Sequence, residues 1–194
     1  MKKQLIRKVV IYTLLALFSI SVHAADTYTL DPNHTYVLWG IKHFGFSTQV
    51  GKFYATGTLV LDKDKPENSK VNASITIASI ATGLAELDKH LKGKLFFDAD
   101  KFPVATFVSD KTEVIDKITA NVHGTLTLHG VAKPLVLHVK LNKVGMNPIS
   151  NKMTAGFSAS ATIKRSDFGM TTLIPGLSDD VDLMIGSEAF PATK

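Results

Sequence analysis

Thr35-Tyr36-Val37-Leu38-Trp39-Gly40-Ile41-Lys42-His43 is the stretch that decides the fold. Thr35, Val37, Trp39 and Ile41 form a mostly apolar row that ends in His43, and Tyr36, Leu38, Gly40, Lys42 and Phe44 form the alternate row. Alternation with a period of two marks a strand with one face turned inward. The pattern returns along the chain. Phe53, Ala55, Gly57, Leu59 and Leu61 make a second inward row, and Val71, Ala73, Ile75 and Ile77 a third. After Pro103 come Ala105, Phe107 and Ser109, then Val122, Gly124, Leu126 and Leu128. Leu135, Leu137, Val139 and Leu141 follow Pro134. Met153, Ala155, Phe157, Ala159, Ala161 and Ile163 precede a last row of Val181, Leu183 and Ile185. Eight strand candidates with mostly short polar connections predict an all-β, eight-stranded antiparallel barrel, in which closure removes the exposed edges.

The period changes once. Leu84, Leu87 and Leu91 have helical spacing, with Thr82 or Gly83 as the start and Gly93 as the stop. Phe96 and Phe97 follow directly. A short helix with an aromatic pair behind it suits the covering of one barrel end.

Upstream of the strands, Lys2, Lys3, Arg7 and Lys8 precede an apolar run over residues 9–22 and a small-residue exit, Val22-His23-Ala24. This is the pattern of a secretory signal peptide. The run is shorter than the roughly 20 residues of a spanning helix. The expectation is a leader over 1–24, cleavage between Ala24 and Ala25, and one barrel domain over 25–194 in the periplasm. No cysteine follows the run, so a lipid anchor on cysteine is excluded. The leader holds four of the 22 basic residues and none of the 17 acidic ones, which leaves the exported chain a net charge of +1. That balance removes the basic stripe a nucleic-acid binder needs. The complete lack of cysteine removes thiolate catalysis, iron–sulfur ligation and cysteine-held zinc, and an exported domain without disulfides must be held by its core.

The inward rows contain many small residues: Ala55, Gly57, Ala73, Ala105, Gly124, Ala155, Ala159 and Ala161. A solid core wants larger ones. Small residues can also interdigitate with large neighbours, so a ligand cavity and a filled barrel both stay open at this point.

The order of motifs resembles the YceI family. Asp31-Pro32-Asn33-His34-Thr35 opens the set, and Val50-Gly51-Lys52-Phe53 follows. Asp88-Lys89-His90-Leu91, Phe96-Phe97-Asp98 and Pro103-Val104-Ala105-Thr106-Phe107 continue it. The most specific stretch is Gly124-Thr125-Leu126-Thr127-Leu128-His129-Gly130-Val131-Ala132-Lys133-Pro134, and Arg165-Ser166-Asp167-Phe168-Gly169-Met170 with Asp180-Val181 completes the series. The resemblance covers residues 28–188. Thr35 stands where serine is usual, Trp39 where phenylalanine is common, and Lys92-Gly93-Lys94-Leu95 where the family tends to have a serine and an acidic residue. The last departure bears on the shape of the cavity mouth. The resemblance implies a lipocalin-like barrel that binds a long-chain isoprenoid, a quinone or a fatty-chain lipid. Some relatives are described only as stress-associated periplasmic proteins.

Catalytic signatures are missing. There is no Gly-x-Ser-x-Gly elbow, no His-Glu-x-x-His helix and no phosphate-binding glycine loop. His123, His129 and His138 read as outward, and His34, His43 and His90 have no metal-ligand spacing. No metal, cofactor or catalytic residue is expected. His43 and Arg165 continue inward rows and stand where a cavity would have its mouth. Each has two readings: hydrogen bonding to a ligand head group, or support of the barrel end, Arg165 through a carboxylate such as Asp167 or Asp180 and His43 through backbone in a turn. The expected ligand wall is Val37, Trp39, Ile41, His43, Phe53, Ile75, Leu87, Leu91, Phe96, Phe107, Leu126, Leu137, Phe157 and Arg165. Core packing is the alternative for the apolar members. A lipid-modifying enzyme would rest on His43, Asp167 and Arg165 alone. A filled barrel acting through partners would show no continuous void. A homodimer would need a surface other than a sheet edge.

Overall fold

The structure, a computed structural model, describes residues 25–192; the expected leader lies outside them. Nine strands and one helix run in the order β1 (Asp26–Leu30), β2 (Tyr36–His43), β3 (Ser47–Leu61), β4 (Lys70–Thr76), α1 (Ala85–Lys92), β5 (Val104–Val114), β6 (Thr119–Leu128), β7 (Val131–Met146), β8 (Met153–Lys164) and β9 (Asp180–Pro191). From β2 to β9 each strand pairs antiparallel with the next, and β9 closes on β2 through Trp39↔Leu183 and its neighbours. This is the closed eight-stranded barrel that the alternation predicts.

The ninth strand is the one the sequence reading left out. β3 pairs with β2 from Ser47 to Tyr54 and then with β1 from Thr58 to Leu61. β9 pairs with β2 from Asp182 to Gly186 and with β1 from Ala189 to Pro191. β1 and β2 thus share one position around the barrel, broken by the turn at 31–35. There Asp31 accepts hydrogen bonds from the backbone of Asn33 and the ring of His34. β1 alternates as β2 does: Tyr28 and Leu30 are buried, and Thr27 and Thr29 lie opposite. Its five residues are too few for periodicity to register beside the apolar leader.

Two of the glycines at close approaches bear on the barrel's shape. Gly57, with a φ of +151°, lies opposite Ala73 in the β3–β4 ladder where a Cβ would stand 2.1 Å from the carbonyl oxygen of Asn72, so β3 can lie close against β4 there. At Gly51, opposite Trp39 in the ladder, a Cβ would fall 2.3 Å from the indole. The missing side chain leaves the floor on which Trp39 rests.

The core is in two parts. A cluster around Tyr28, Leu30, Leu59, Leu61, Ala155 and Ala189 seals the β1 side. The larger one joins Trp39, Phe53, Ile75, Phe107, Leu126, Leu137 and Phe168 with Leu91 of α1. The inward rows of all eight barrel positions meet there, but they do not fill the middle.

Candidate functional site: an apolar interior under a short lid

The barrel encloses two adjoining chambers. The one beneath α1 has a volume of about 490 Å³, and the one toward the opposite end about 440 Å³. Both lie within the usual range of ligand cavities. Val37, Ile75, Phe107, Leu137 and Ile185 wall both, and so form the waist between them. A filled barrel is therefore not what the inward rows build. Their alanines and glycines leave space that the large residues do not occupy.

Every residue expected in the ligand wall borders this space. Trp39, Ile41, His43, Phe53, Leu87, Leu91, Phe96, Leu126 and Arg165 line the lid-side chamber, Phe157 the far one, and Val37, Ile75, Phe107 and Leu137 the waist. Sequence reasoning missed several others. Leu173 and Leu177 come from the loop at 171–177, which has no period, and Met170 from the turn before it. Gln49 and His90 also reach the chamber. Phe97 packs edge-on against Phe53, with ring centroids 5.3 Å apart; its place beside Phe96 was the signal available.

The lid is α1 with the segment behind it. It begins at Ala85, slightly later than the spacing suggested, and Leu84 lies outside, exposed, instead of on the chamber. Leu87, His90 and Leu91 face inward. Asp88 ties the helix to its lead-in, accepting hydrogen bonds from the backbone N–H (2.7 Å) and hydroxyl (2.6 Å) of Thr82. Those donors hold the Asp88 carboxyl below its ordinary range, against a smaller opposing effect of burial. A carboxyl lowered in the folded state stabilises above its unfolded pKa of 3.8 and loses that contribution as pH falls through the folded value. Amide exchange in α1 should therefore quicken several-fold in Asp88→Ala at neutral pH. The wild type should approach the variant only below pH 3.8. Equal exchange rates at neutral pH would remove Asp88 as the tie.

Arg165 takes the structural role, but without a carboxylate. It is 5 % exposed. Its Nε donates to the carbonyl of Ser178 (2.9 Å), Nη1 to those of Met170 (2.9 Å) and Thr172 (2.8 Å), and Nη2 to that of Leu177 (3.0 Å). Burial lowers its pKa, and Asp179 acts in the opposite sense. Neither suggested partner reaches it. Asp180 pairs with Lys164 at 3.1 Å, and Asp167 makes no salt bridge among the described residues. Asp179 instead accepts from the backbone and hydroxyl of Ser166. The guanidinium thus laces the loop at 170–178 to the barrel end, and Thr172 passes the connection on by donating to the carbonyl of Leu95 (2.6 Å).

His43 lines the chamber and meets Phe44 edge-on at 4.8 Å. Its backbone bridges to Leu177. His123 and His138 lie on the outer surface, beside Glu113 and Asn121. His129 differs from the outward reading. It sits in the β6–β7 turn at a φ of +51°, packs against Phe102 with the rings tilted and their centroids 4.4 Å apart, and its Nδ1 meets the carbonyl of Phe168.

A closed antiparallel barrel with an apolar interior, a helical lid and polar side chains near its ends defines a lipocalin-like binding fold. The chain belongs to the YceI family: residues 28–189 match the model of the YceI-like domain. The YceI protein of Salmonella arizonae is 38 % identical over 192 residues, covering 97 % of each chain. The crystal structure of the Campylobacter jejuni YceI protein is 36 % identical with a TM-score of 0.71, covering 78 % of this chain and 90 % of that one. A polyisoprenoid-binding domain from Saccharophagus degradans shares the fold at 14 % identity and a TM-score of 0.66, over 85 % of this chain and 98 % of that one.

Proposed function

We propose that this protein is an exported carrier of a long-chain isoprenoid lipid, a quinone or a related amphiphile, held with its tail along the barrel axis. One observation carries the reading: two apolar chambers adjoin through a shared waist, and the polar side chains His43, Gln49, His90 and Arg165 stand at the lid end of the first. A tail in water exposes apolar area at about 25 cal/mol per Å², and this interior removes it from water. The wall named above supplies the contacts. His43 is the residue suited to orient a head group, because Arg165 already serves four backbone carbonyls. Membership of the family favours binding over catalysis, and the leader-like residues 1–24 support export to the periplasm. Among the described residues no helix is long and apolar enough to cross a membrane.

Native mass spectrometry of the protein, purified without detergent, tests the proposal. The expected result is an added mass matching an isoprenoid lipid, or uptake of octaprenol or ubiquinone supplied to the bare chain. Bare polypeptide that takes up neither would end the carrier reading.

A further inference from the structure

The lid end of the barrel is edged by three segments that hydrogen bonds join into one rim. The β2–β3 hairpin is pinned to the loop at 171–178: Phe44 donates its N–H to the carbonyl of Gly176 (2.6 Å), and Lys42 and Ser178 exchange bonds of 3.1 and 3.0 Å. Thr172 joins that loop to Leu95. On this rim Phe46 is 90 % exposed, Leu95 63 % and Leu173 55 %. Leu173 also lines the chamber, so the exposed apolar surface is continuous with the interior. Phe44 and Gly45 take positive φ values, which fixes the turn that holds Phe46 outward. Within these three stretches the charge is basic: residues 42–47, 92–97 and 171–177 contain Lys42, Lys92 and Lys94 and no Asp or Glu, while the acidic groups of this end, Glu86, Asp88, Asp98 and Asp100 among them, lie outside them. The opposite end also exposes apolar groups, Ile115 and Ile149 among them, but its hairpins mix Asp62, Asp64, Glu67 and Asp116 with their lysines.

We infer that this rim docks the mouth onto an anionic phospholipid surface, with Phe46, Leu95 and Leu173 entering the acyl boundary and Lys42, Lys92 and Lys94 meeting the head groups. Apolar side chains ringed by lysine are the features that place a soluble protein in a bilayer interface. A mouth seated there lets a tail move between bilayer and chamber without crossing water.

The test is flotation with protein-free vesicles and no isoprenoid, so that its outcome is separate from that of the carrier reading. Among the described residues all strands and the helix lie within 26–191, and the chain starting at Ala25 carries every strand of the barrel described above. It should float with vesicles of phosphatidylethanolamine and phosphatidylglycerol, less with phosphatidylcholine alone, and less as salt rises. Phe46→Ser, a change at an exposed tip, should lower the partition about tenfold, as should Lys42→Glu with Lys94→Glu. Ile149→Ser, at the far end, should leave it unchanged. Circular dichroism confirms that each variant is folded. The inference is overturned if the wild type does not float, which would leave the rim to a protein partner or a second copy. It is equally overturned if both rim variants float as the wild type does, or if Ile149→Ser is the change that releases the protein.

Discussion

Arg165→Met should cost about 3–5 kcal/mol of folding stability, read as a lowered urea midpoint. The guanidinium is the shared donor for four carbonyls in one loop. Each buried carbonyl left without a partner costs about 1–3 kcal/mol, and rehydration at the barrel end recovers part of that. Domains of this kind are stable by about 5–15 kcal/mol in all, so the loss is a large share. Arg165→Lys should recover less than half, because an ammonium cannot reproduce the planar fork that reaches Ser178, Met170, Thr172 and Leu177 together. Loosening should appear first in the loop at 170–178 and next at Leu95, through Thr172. A variant within about 1 kcal/mol of the wild type would mean that water can replace the guanidinium and that Arg165 is not the fastener.

Ala159→Phe should abolish long-tail binding while leaving the barrel folded. Ala159 pairs with Val139 on β7 and Ile185 on β9 and faces the far chamber. A benzyl group there enters open space, so the overpacking penalty of a dense core does not apply. The ring would fill much of the space just beyond the waist. Affinity for an octaprenyl chain should fall by about 100-fold or more, equivalent to about 2.8 kcal/mol, whereas a short-tailed analogue that needs only the lid-side chamber should bind nearly as before. Trp39 is the only tryptophan and borders that chamber, so quinone quenching of its fluorescence reads both titrations. Undiminished binding of the long chain would place the tail elsewhere.

Strand alternation was a strong signal because closure makes every inward residue face the same interior. Most of the expected residues that border the chambers were legible in two periods: parity marked the strand members, Arg165 included, and helical spacing marked Leu87 and Leu91. Parity says nothing about loops. Leu173 and Leu177 reach the chamber in a loop that Arg165 holds through the carbonyls of Met170, Thr172, Leu177 and Ser178, contacts that no period records. The bonding of Arg165 itself was misjudged for a related reason: a charged residue in an apolar row suggests a carboxylate, whereas the carbonyls of a folded-back loop are invisible in side-chain identities. The small inward residues left the void undecided, since volume depends on how eight rows pack together. β1 escaped because five residues give too short a pattern, and its partners, β3 and β9, lie far along the chain.

The shared position of β1 and β2 also governs the order of assembly. Its neighbours are β3 and β9, so the first and last of the described strands are side by side. Ring closure must wait for the stretch ending at Pro191. Earlier hairpins can form as a curved ribbon with two open borders, and such contacts between the chain's extremities are slow to form. A chain still missing that stretch would hold its hairpins as an open ribbon, and the interior would exist only once β9 reaches both β1 and β2.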